Sequence, residues 1–300
     1  MNLNPVKMKK TVLLLAAVSL TSLLSCQTAG DQKIPFKMED LTSPQFVTAV
    51  EKAGGVCVIP LGIIEKHGPH LPLGTDLYEA RQTAFTAAEN EYAVVFPPYF
   101  TGQILEARHQ PGVIAYSTDL MWKMLEETCA ELSRNGLKKI ILMNGHGGNT
   151  SFLQYFCQAQ LASTRDYIVV LFQPNPDEAT QKAISALKKT TLDGHAGEEE
   201  TSMIYYINPS LVDVKAAGNQ SGADQRRLQV PYAYTGIWWY ARFPNHYAGD
   251  GAKFSRELGE LLIKSDASQL AMLIKYLKTD SSVKTLQDEF YKRAENPLLK

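Results

Sequence analysis

Four short apolar runs, separated by amphipathic stretches, constrain the fold of this chain more than any other feature. The runs cover residues 56–61, 92–96, 139–143 and 167–172, and they have strand length and many β-branched residues. Such runs are typical of strands that are buried on both faces of a parallel sheet. Apolar side chains recur at helical spacing between and after them, in residues 118–135, 151–163, 177–189 and 251–278. The alternation predicts an α/β protein, a three-layer α/β/α sandwich with a mostly parallel sheet.

The composition excludes several classes of protein. The 300 residues include 30 Lys or Arg and 31 Asp or Glu, a net charge of −1, and 45% are hydrophobic. This content excludes disorder along the whole chain, and the near-neutral balance argues against a nucleic-acid partner. Four scattered cysteines are too few for a disulfide scaffold. The length fits one large domain or two small ones, and no repeat or linker divides the body of the chain.

The N-terminal residues are typical of a bacterial lipoprotein signal peptide. Lysines precede an apolar run over residues 11–24, which is short for a membrane span of about 20 residues and suits a signal sequence. The run ends in Leu-Leu-Ser-Cys, which resembles a lipobox with Cys26 as the lipid acceptor. The alternatives are a plain secretory signal or a buried helix that contains Cys26, and Met8 is a second candidate start.

These features divide the chain into three predicted parts. Residues 1–25 form the signal peptide, residues 26–37 form a short tether, and residues 38–300 form the main domain. We expect the protein to be exported and anchored by lipid to a bacterial membrane, with its domain outside the cytoplasm.

Polar residues with metal-binding chemistry are concentrated in three loops. The loops cover residues 60–76, 143–149 and 193–202, and they contain four of the six histidines. Glycines and prolines in these loops allow close backbone packing and fix the direction of neighbouring side chains. Because binding sites of open α/β sheets lie beyond the carboxyl ends of the strands, we expect these loops to form the site.

The residue types in these loops fit a metal site. Glu65 and His67 lie two apart, so an extended backbone points both side chains the same way. The Asp76 carboxylate can bridge two ions, and His146 and Glu200 offer further ligands. Mixed imidazole and carboxylate ligands suit Zn, Mn or Fe, with Zn the usual choice. Two such ions about 3.5–4 Å apart can hold a bridging hydroxide and polarise a carbonyl.

Each motif also has an ordinary structural explanation. A Glu-x-His pair is common by chance, and the Asn-Gly-His-Gly-Gly-Asn loop could be a tight turn around a satisfied His146. Asp76 could cap the helix that begins near residue 77, and residues 198–200 could form a solvated first helical turn. The presence of all three motifs together favours the metal site.

Together, the three segments resemble the creatininase family. That family carries a Glu-x-His-Gly-x-His-Leu-Pro-x-x-x-Asp segment, an Asn-Gly-His-Gly-Gly-Asn loop and a His-Ala-Gly-x-x-Glu-Thr-Ser segment. They match residues 65–76, 144–149 and 195–202 here. The resemblance covers residues 54–263 and implies an α/β/α fold, two divalent metal ions per chain, hydrolysis of C–N amide bonds and commonly a homohexamer.

The resemblance also implies the ligands of each metal ion. One ion would be held by Glu65, Asp76 and His146, and the other by His67, Asp76 and Glu200. Gly148 stands where creatininase itself supplies a ligating Glu, so Glu200 is a replacement ligand. Glu198 and Glu199 are the alternatives to it.

His195 matches the catalytic histidine of the family. The implied mechanism is attack of a metal-bridging hydroxide on an amide or lactam carbonyl, with His195 moving a proton to the leaving nitrogen. The chain departs from the creatininase pattern at Ala107, Gln110, Val113 and Gly194. These departures argue against creatinine itself as the substrate, but not against the metal chemistry.

Aromatic residues before the last predicted helices could form a wall of the substrate pocket. Trp238, Trp239 and His246 are the candidate substrate-binding residues in this segment. A position in a subunit interface or in the core is the alternative for the aromatic residues.

The sequence therefore predicts a creatininase-like, dinuclear metal-dependent amidohydrolase over residues 38–300, acting on a cyclic amide or similar C–N bond other than a peptide bond. Its expected partners are a small-molecule amide, a membrane reached through the lipid, and other copies of the chain in a homo-oligomer. A peptidase or deformylase on the same scaffold is one alternative, and a non-catalytic ligand-binding lipoprotein is another. A binding protein need not keep all five metal ligands, which favours the enzyme.

Overall fold

The computed structural model describes Met1 and residues 34–298. The predicted signal peptide, the predicted lipid acceptor Cys26 and most of the predicted tether lie outside the described residues and stay predictions. In the described part of the chain, no helix is both long enough and apolar enough to cross a membrane.

The predicted parallel sheet is present. Its four strands are β1 (Val56–Leu61), β2 (Val94–Val95), β3 (Lys139–Asn144) and β4 (Ile168–Leu171). They lie in the order β2-β1-β3-β4, and every neighbouring pair is parallel. The run over residues 92–96 contributes only two residues to the edge strand β2. Pro97 and Pro98 follow it directly, and proline lacks the N–H that a longer strand would donate.

Helices connect and cover these strands. They are α1 (Ser43–Lys52), α2 (Thr75–Asn90), α3 (Thr118–Arg134), α4 (Thr150–Ala159), α5 (Glu178–Leu187), α6 (Glu198–Ile207), α7 (Trp238–Arg242), α8 (Arg256–Thr279) and α9 (Ser282–Glu295). All four helices expected from periodicity are present, and the segment 251–278 holds the single long helix α8. Helix α8 begins at Arg256, five residues after the start of the predicted segment. Ser255 caps it there, since its hydroxyl accepts a hydrogen bond from the Leu258 N–H at 3.2 Å. The sequence did not predict α9.

The side chains of β1 alternate between two buried cores. On one face of the sheet, Cys57, Ile59 and Leu61 pack with α1, α3 and α4. On the other face, Val56 and Val58 pack with α2 and α8. Both faces of the sheet are therefore covered by helices, which confirms the predicted α/β/α sandwich.

Candidate metal centre

The loops that follow β1 and β3 meet because these strands are neighbours in the sheet. The loop after β1 carries Glu65 and His67, and the loop after β3 carries His146. Gly145 allows the second loop to pass close to the start of α2, since a Cβ there would lie 2.6 Å from the carbonyl oxygen of Asp76. The carboxyl edge of the sheet thus brings the first and second motifs together at the N-terminus of α2.

Five predicted ligands form two groups that share Asp76. His146 Nδ1 lies 2.8 Å from Glu65 Oε1 and 3.1 Å from Asp76 Oδ2. His67 Nε2 lies 2.8 Å from Asp76 Oδ1 and 3.9 Å from Glu200 Oε2. Within each group the ligand atoms are no more than 4.8 Å apart. Asp76 thus gives one oxygen to each group, as a bridging carboxylate would.

A main-chain carbonyl accepts a hydrogen bond from one ring nitrogen of each of the two histidines. His146 Nε2 lies 2.9 Å from the carbonyl oxygen of Gln103, so Nε2 carries a proton and donates it. His67 Nδ1 lies 3.2 Å from the carbonyl oxygen of Glu65 and donates in the same way. The other ring nitrogens face the carboxylates, and once they are unprotonated they can offer lone pairs to a metal ion. Metal-binding histidines are held by this type of contact.

Two buried carboxylate oxygens in the cluster receive no hydrogen bond from the described residues. They are Glu65 Oε1 and Asp76 Oδ2, and both side chains are almost completely buried. With the lone pair of His146 Nδ1, they form a set of three electron-rich atoms around one point. Such a set is unfavourable by itself and favourable around a cation, so the donors fit a bound divalent metal.

The electrostatics of the cluster also favour positive charge. Burial alone would lower the pKa of His67, but Asp76 and the neighbouring carboxylates outweigh burial and raise that pKa to about 9. Burial raises the pKa of Glu200 to about 7. The cluster therefore attracts protons when no metal is bound, and a metal ion must displace them.

Of the three consecutive glutamates that begin α6, the structure brings Glu200 to the cluster. The Glu198 carboxylate accepts hydrogen bonds from the backbone N–H groups of residues 189–190, at 2.7–2.9 Å. Glu199 Oε1 lies 2.5 Å from the Lys188 ammonium. Glu198 and Glu199 therefore point away from the cluster. Glu200 Oε2 accepts a hydrogen bond from the Ala196 N–H at 2.5 Å and faces His67 and Asp76, so Glu200 is the glutamate placed to hold a metal.

Asp76 does not cap a helix in the way the sequence suggested as an additional role. Helix α2 begins at Thr75, with Gly74 in the N-cap position and no side-chain cap. The two carboxylate oxygens of Asp76 face His67 and His146 instead. The alternative explanation of Asp76 as a helix cap was therefore wrong, because the helix begins one residue before the carboxylate.

His195 lies directly beside both ligand groups. Its Nε2 is 2.8 Å from the carbonyl oxygen of Lys66, to which it donates, and 4.0 Å from Glu65 Oε2. Its ring centroid is 4.3 Å from that of His67. Although Glu65, His67 and His195 are close enough to hold an ion, Nε2 is already used as a donor. The Nδ1 lone pair is then the atom that can accept a proton.

A cavity of about 1040 Å³ opens over the cluster. Glu65, His146, His195 and Glu200 lie along it. One wall is aromatic and comes from α7, with Trp238, Trp239 and Tyr240. The predicted substrate residues Trp238, Trp239 and His246 therefore all line the cavity, and their contact with a substrate stays a prediction.

The sequence did not reveal the contacts that orient the ligands. Gln103 holds His146 through its main-chain carbonyl, and the buried Asn149 side chain accepts a hydrogen bond from the Gln103 N–H at 2.9 Å. His246 Nε2 contacts Glu65 Oε2, although the two residues are 181 positions apart. Asn149 belongs to a recognised motif, whereas Gln103 and His246 offered no local signal for these contacts.

Comparison with known proteins identifies relatives of this chain. A family model described as creatinine amidohydrolase matches residues 39–274. The mycofactocin precursor peptide peptidase of Mycolicibacterium smegmatis is 32% identical over 170 residues, 54% of this chain and 62% of the relative. The creatinine amidohydrolase of Pseudomonas putida is 25% identical over 190 residues, 58% of this chain and 73% of the relative. The chain thus spans less than two thirds of the length of the peptidase.

Solved structures show the same fold. A manganese form of creatininase is 22% identical, with a TM-score of 0.67, over 82% of this chain and 99% of that chain. A zinc–zinc form of a creatininase variant has a TM-score of 0.69 over the same shares at 22% identity. Because the creatinine amidohydrolase family model matches residues 39–274, most of its length, the chain belongs to the creatininase family.

Proposed function

We propose that this protein hydrolyses C–N amide bonds with the help of two divalent metal ions. The observation that carries the proposal is the position of Asp76, whose two oxygens face two different histidines at 2.8 and 3.1 Å. A carboxylate shared in this way is the natural bridge between two cations. The hydrolase names of the relatives support the same class of reaction.

The proposed ligand sets follow the two groups. One ion would be held by Glu65, Asp76 and His146, and the other by His67, Asp76 and Glu200. When bound, such a pair supplies Lewis-acid activation of water and of the substrate carbonyl. Zinc is the first candidate for both positions, and manganese is the second, since creatininase structures exist in zinc and manganese forms.

His195 is the proposed proton carrier. Its Nε2–H is fixed on the Lys66 carbonyl, so its Nδ1 is the atom that accepts and returns a proton. In amide hydrolysis, water adds to the carbonyl carbon, the C–N bond breaks, and the leaving nitrogen takes up a proton. A histidine beside the ligand groups and along the cavity wall is placed to deliver that proton.

The first substrate candidate is a cyclic amide or similar small C–N compound, as for the creatinine amidohydrolase relative. A peptide is the second candidate, because the cavity of about 1040 Å³ is slightly larger than the usual range of about 300–1,000 Å³ for small-molecule sites. The peptidase relative supports this second candidate. Turnover of lactams, formamides and short peptides by the metal-loaded protein separates these substrates.

The variant His195→Ala tests the proposed mechanism. We expect it to lose turnover while it keeps two metal ions per chain, because His195 donates to a backbone carbonyl and is not a ligand. His109→Ala is the matched control, since His109 lines the same cavity but donates to the Pro244 carbonyl at 3.0 Å. We expect the control to lower turnover less than about tenfold. Metal loss in His195→Ala would instead make His195 a ligand.

We further propose that the protein is exported and carries a lipid on Cys26, and that it forms a homo-oligomer. The lipobox-like sequence supports the first statement, and the family resemblance supports the second. Mass spectrometry of the membrane fraction tests the lipid: the mature N-terminus should be a lipidated Cys26, and Cys26→Ala should be unlipidated. An unmodified mature protein that begins elsewhere would contradict it. Light scattering of the purified domain tests the oligomer.

A further inference from the structure

We propose that Trp239 and His246 act together as positioning residues for Glu65, holding one of its oxygens so that the other is presented to a metal ion. The inference rests on the metal site proposed above. It assigns His246 a role inside the protein, in place of direct contact with a substrate.

The tautomer of His246 is set by Trp239. The indole Nε1–H of Trp239 donates to His246 Nδ1 at 2.8 Å. An indole N–H can only donate, so Nδ1 must be the unprotonated nitrogen of the ring. The proton of the neutral ring is therefore on Nε2, which contacts Glu65 Oε2 and donates to it. Without the indole N–H, the ring could place its proton on Nδ1 and turn a lone pair toward Glu65.

Because of the His246 contact, the two oxygens of Glu65 have different roles. Oε2 is taken by His246, whereas Oε1 lies 2.8 Å from His146 Nδ1 and receives no hydrogen bond from the described residues. Glu65 is fully buried, so water cannot replace a lost donor at Oε2 without a change in packing. His246 thus fixes the rotation of the carboxylate and leaves a single oxygen for the cation.

The backbone at His246 is unusual and supports a specific role. Its φ of 51° lies in the left-handed region, where a residue with a Cβ is disfavoured. Only 2% of the residue is exposed, and its ring packs edge-on against His195 at a centroid distance of 4.3 Å. Such conformations persist where the surroundings hold them, and they are frequent at functional sites.

The two adjacent tryptophans provide a matched pair of variants. Trp239→Phe keeps an aromatic ring but removes the N–H that sets the His246 tautomer. Trp238→Phe removes the neighbouring indole, which lines the same cavity but does not donate to His246. Both variants are loaded with Co²⁺. The dissociation constant of each of the two bound Co²⁺ ions is then measured by competition with a chelator. Thermal unfolding in the absence of metal shows whether each variant is folded.

We expect Trp239→Phe to lower the affinity for one of the two Co²⁺ ions at least about tenfold. A loss of this size is within the range seen when a residue that orients a metal ligand is replaced. Trp238→Phe should bind both equivalents like the wild type. His246→Gln keeps a donor for Glu65 that does not depend on a tautomer. In that background, adding Trp239→Phe should therefore change Co²⁺ affinity little, which distinguishes tautomer control from simple packing.

Equal loss in Trp238→Phe and Trp239→Phe, or wild-type affinity in both, would overturn the inference while leaving the proposed function intact. A full additional loss from Trp239→Phe in the His246→Gln background would also overturn it. A wild-type protein that binds no Co²⁺ would overturn the proposed function, and this inference with it.

Discussion

Substitution of the two glycines that follow His146, Gly147 and Gly148, tests whether His146 is a metal ligand. A Cβ added at Gly148 would lie 2.4 Å from His146 Nε2 and 3.2 Å from the carbonyl oxygen of Gln103. Ordinary contacts begin at 3.4 Å, so the ring or its acceptor must move by about 1 Å (3.4 − 2.4). Metal–ligand distances stay within about 0.2 Å of their ideal values. Gly148→Ala should therefore break the bond that fixes the His146 tautomer and displace one metal ligand.

We expect Gly148→Ala to weaken metal binding at the Glu65–Asp76–His146 group at least about tenfold, or about 1.4 kcal/mol. Gly147→Ala is the control, because nothing lies within 4 Å of a Cβ at that position. The measurement is metal affinity by chelator competition, with metal content by mass spectrometry of the folded proteins. Wild-type affinity in Gly148→Ala, or an equal loss in Gly147→Ala, would refute the reasoning that a Cβ at position 148 displaces His146 as a ligand.

Three further predictions concern protons, the choice of glutamate and the packing of α6. Because the pKa of His67 is raised from its ordinary 6.5 to about 9, the metal-free site holds a proton at pH 7–8. Metal binding should release at least one proton there, measured by calorimetry in buffers of different ionisation enthalpy, and affinity should fall as pH falls. Glu200→Gln should lose one metal ion per chain and Glu199→Gln none; the opposite result would reassign the ligand. Gly259→Ala should lower the midpoint of thermal unfolding by several degrees or prevent folding, because its Cβ would lie 2.0 Å from the Ser202 carbonyl oxygen. An unchanged midpoint would contradict this close packing of α8 against α6.

The sequence was sufficient to predict the sheet and the region of the site. Continuously apolar runs identify strands that are buried on both faces, and their alternation with amphipathic helices predicts a parallel sheet. Parallel strands end at one edge, so residues that directly follow β1 and β3, such as Glu65 and His146, become neighbours in space. The resemblance of the three motifs to the creatininase family then implied the set of five side chains that the structure brings together.

The contacts that orient these side chains could not be predicted in the same way. Gln103 acts through its main chain, so its residue type carries no signal for the contact with His146. His246 reaches Glu65 from a distant part of the chain, and its tautomer depends on a third residue, Trp239. Such contacts depend on how loops pack over one another, which hydrophobic periodicity does not encode.

The most direct test of the account is the location of metal ions by anomalous X-ray scattering from crystals of the protein loaded with zinc or manganese. We expect two anomalous peaks per chain on either side of Asp76, one beside Glu65 and His146 and the other beside His67 and Glu200. No bound ion, a single ion, or ions bound away from Asp76 would contradict the dinuclear centre.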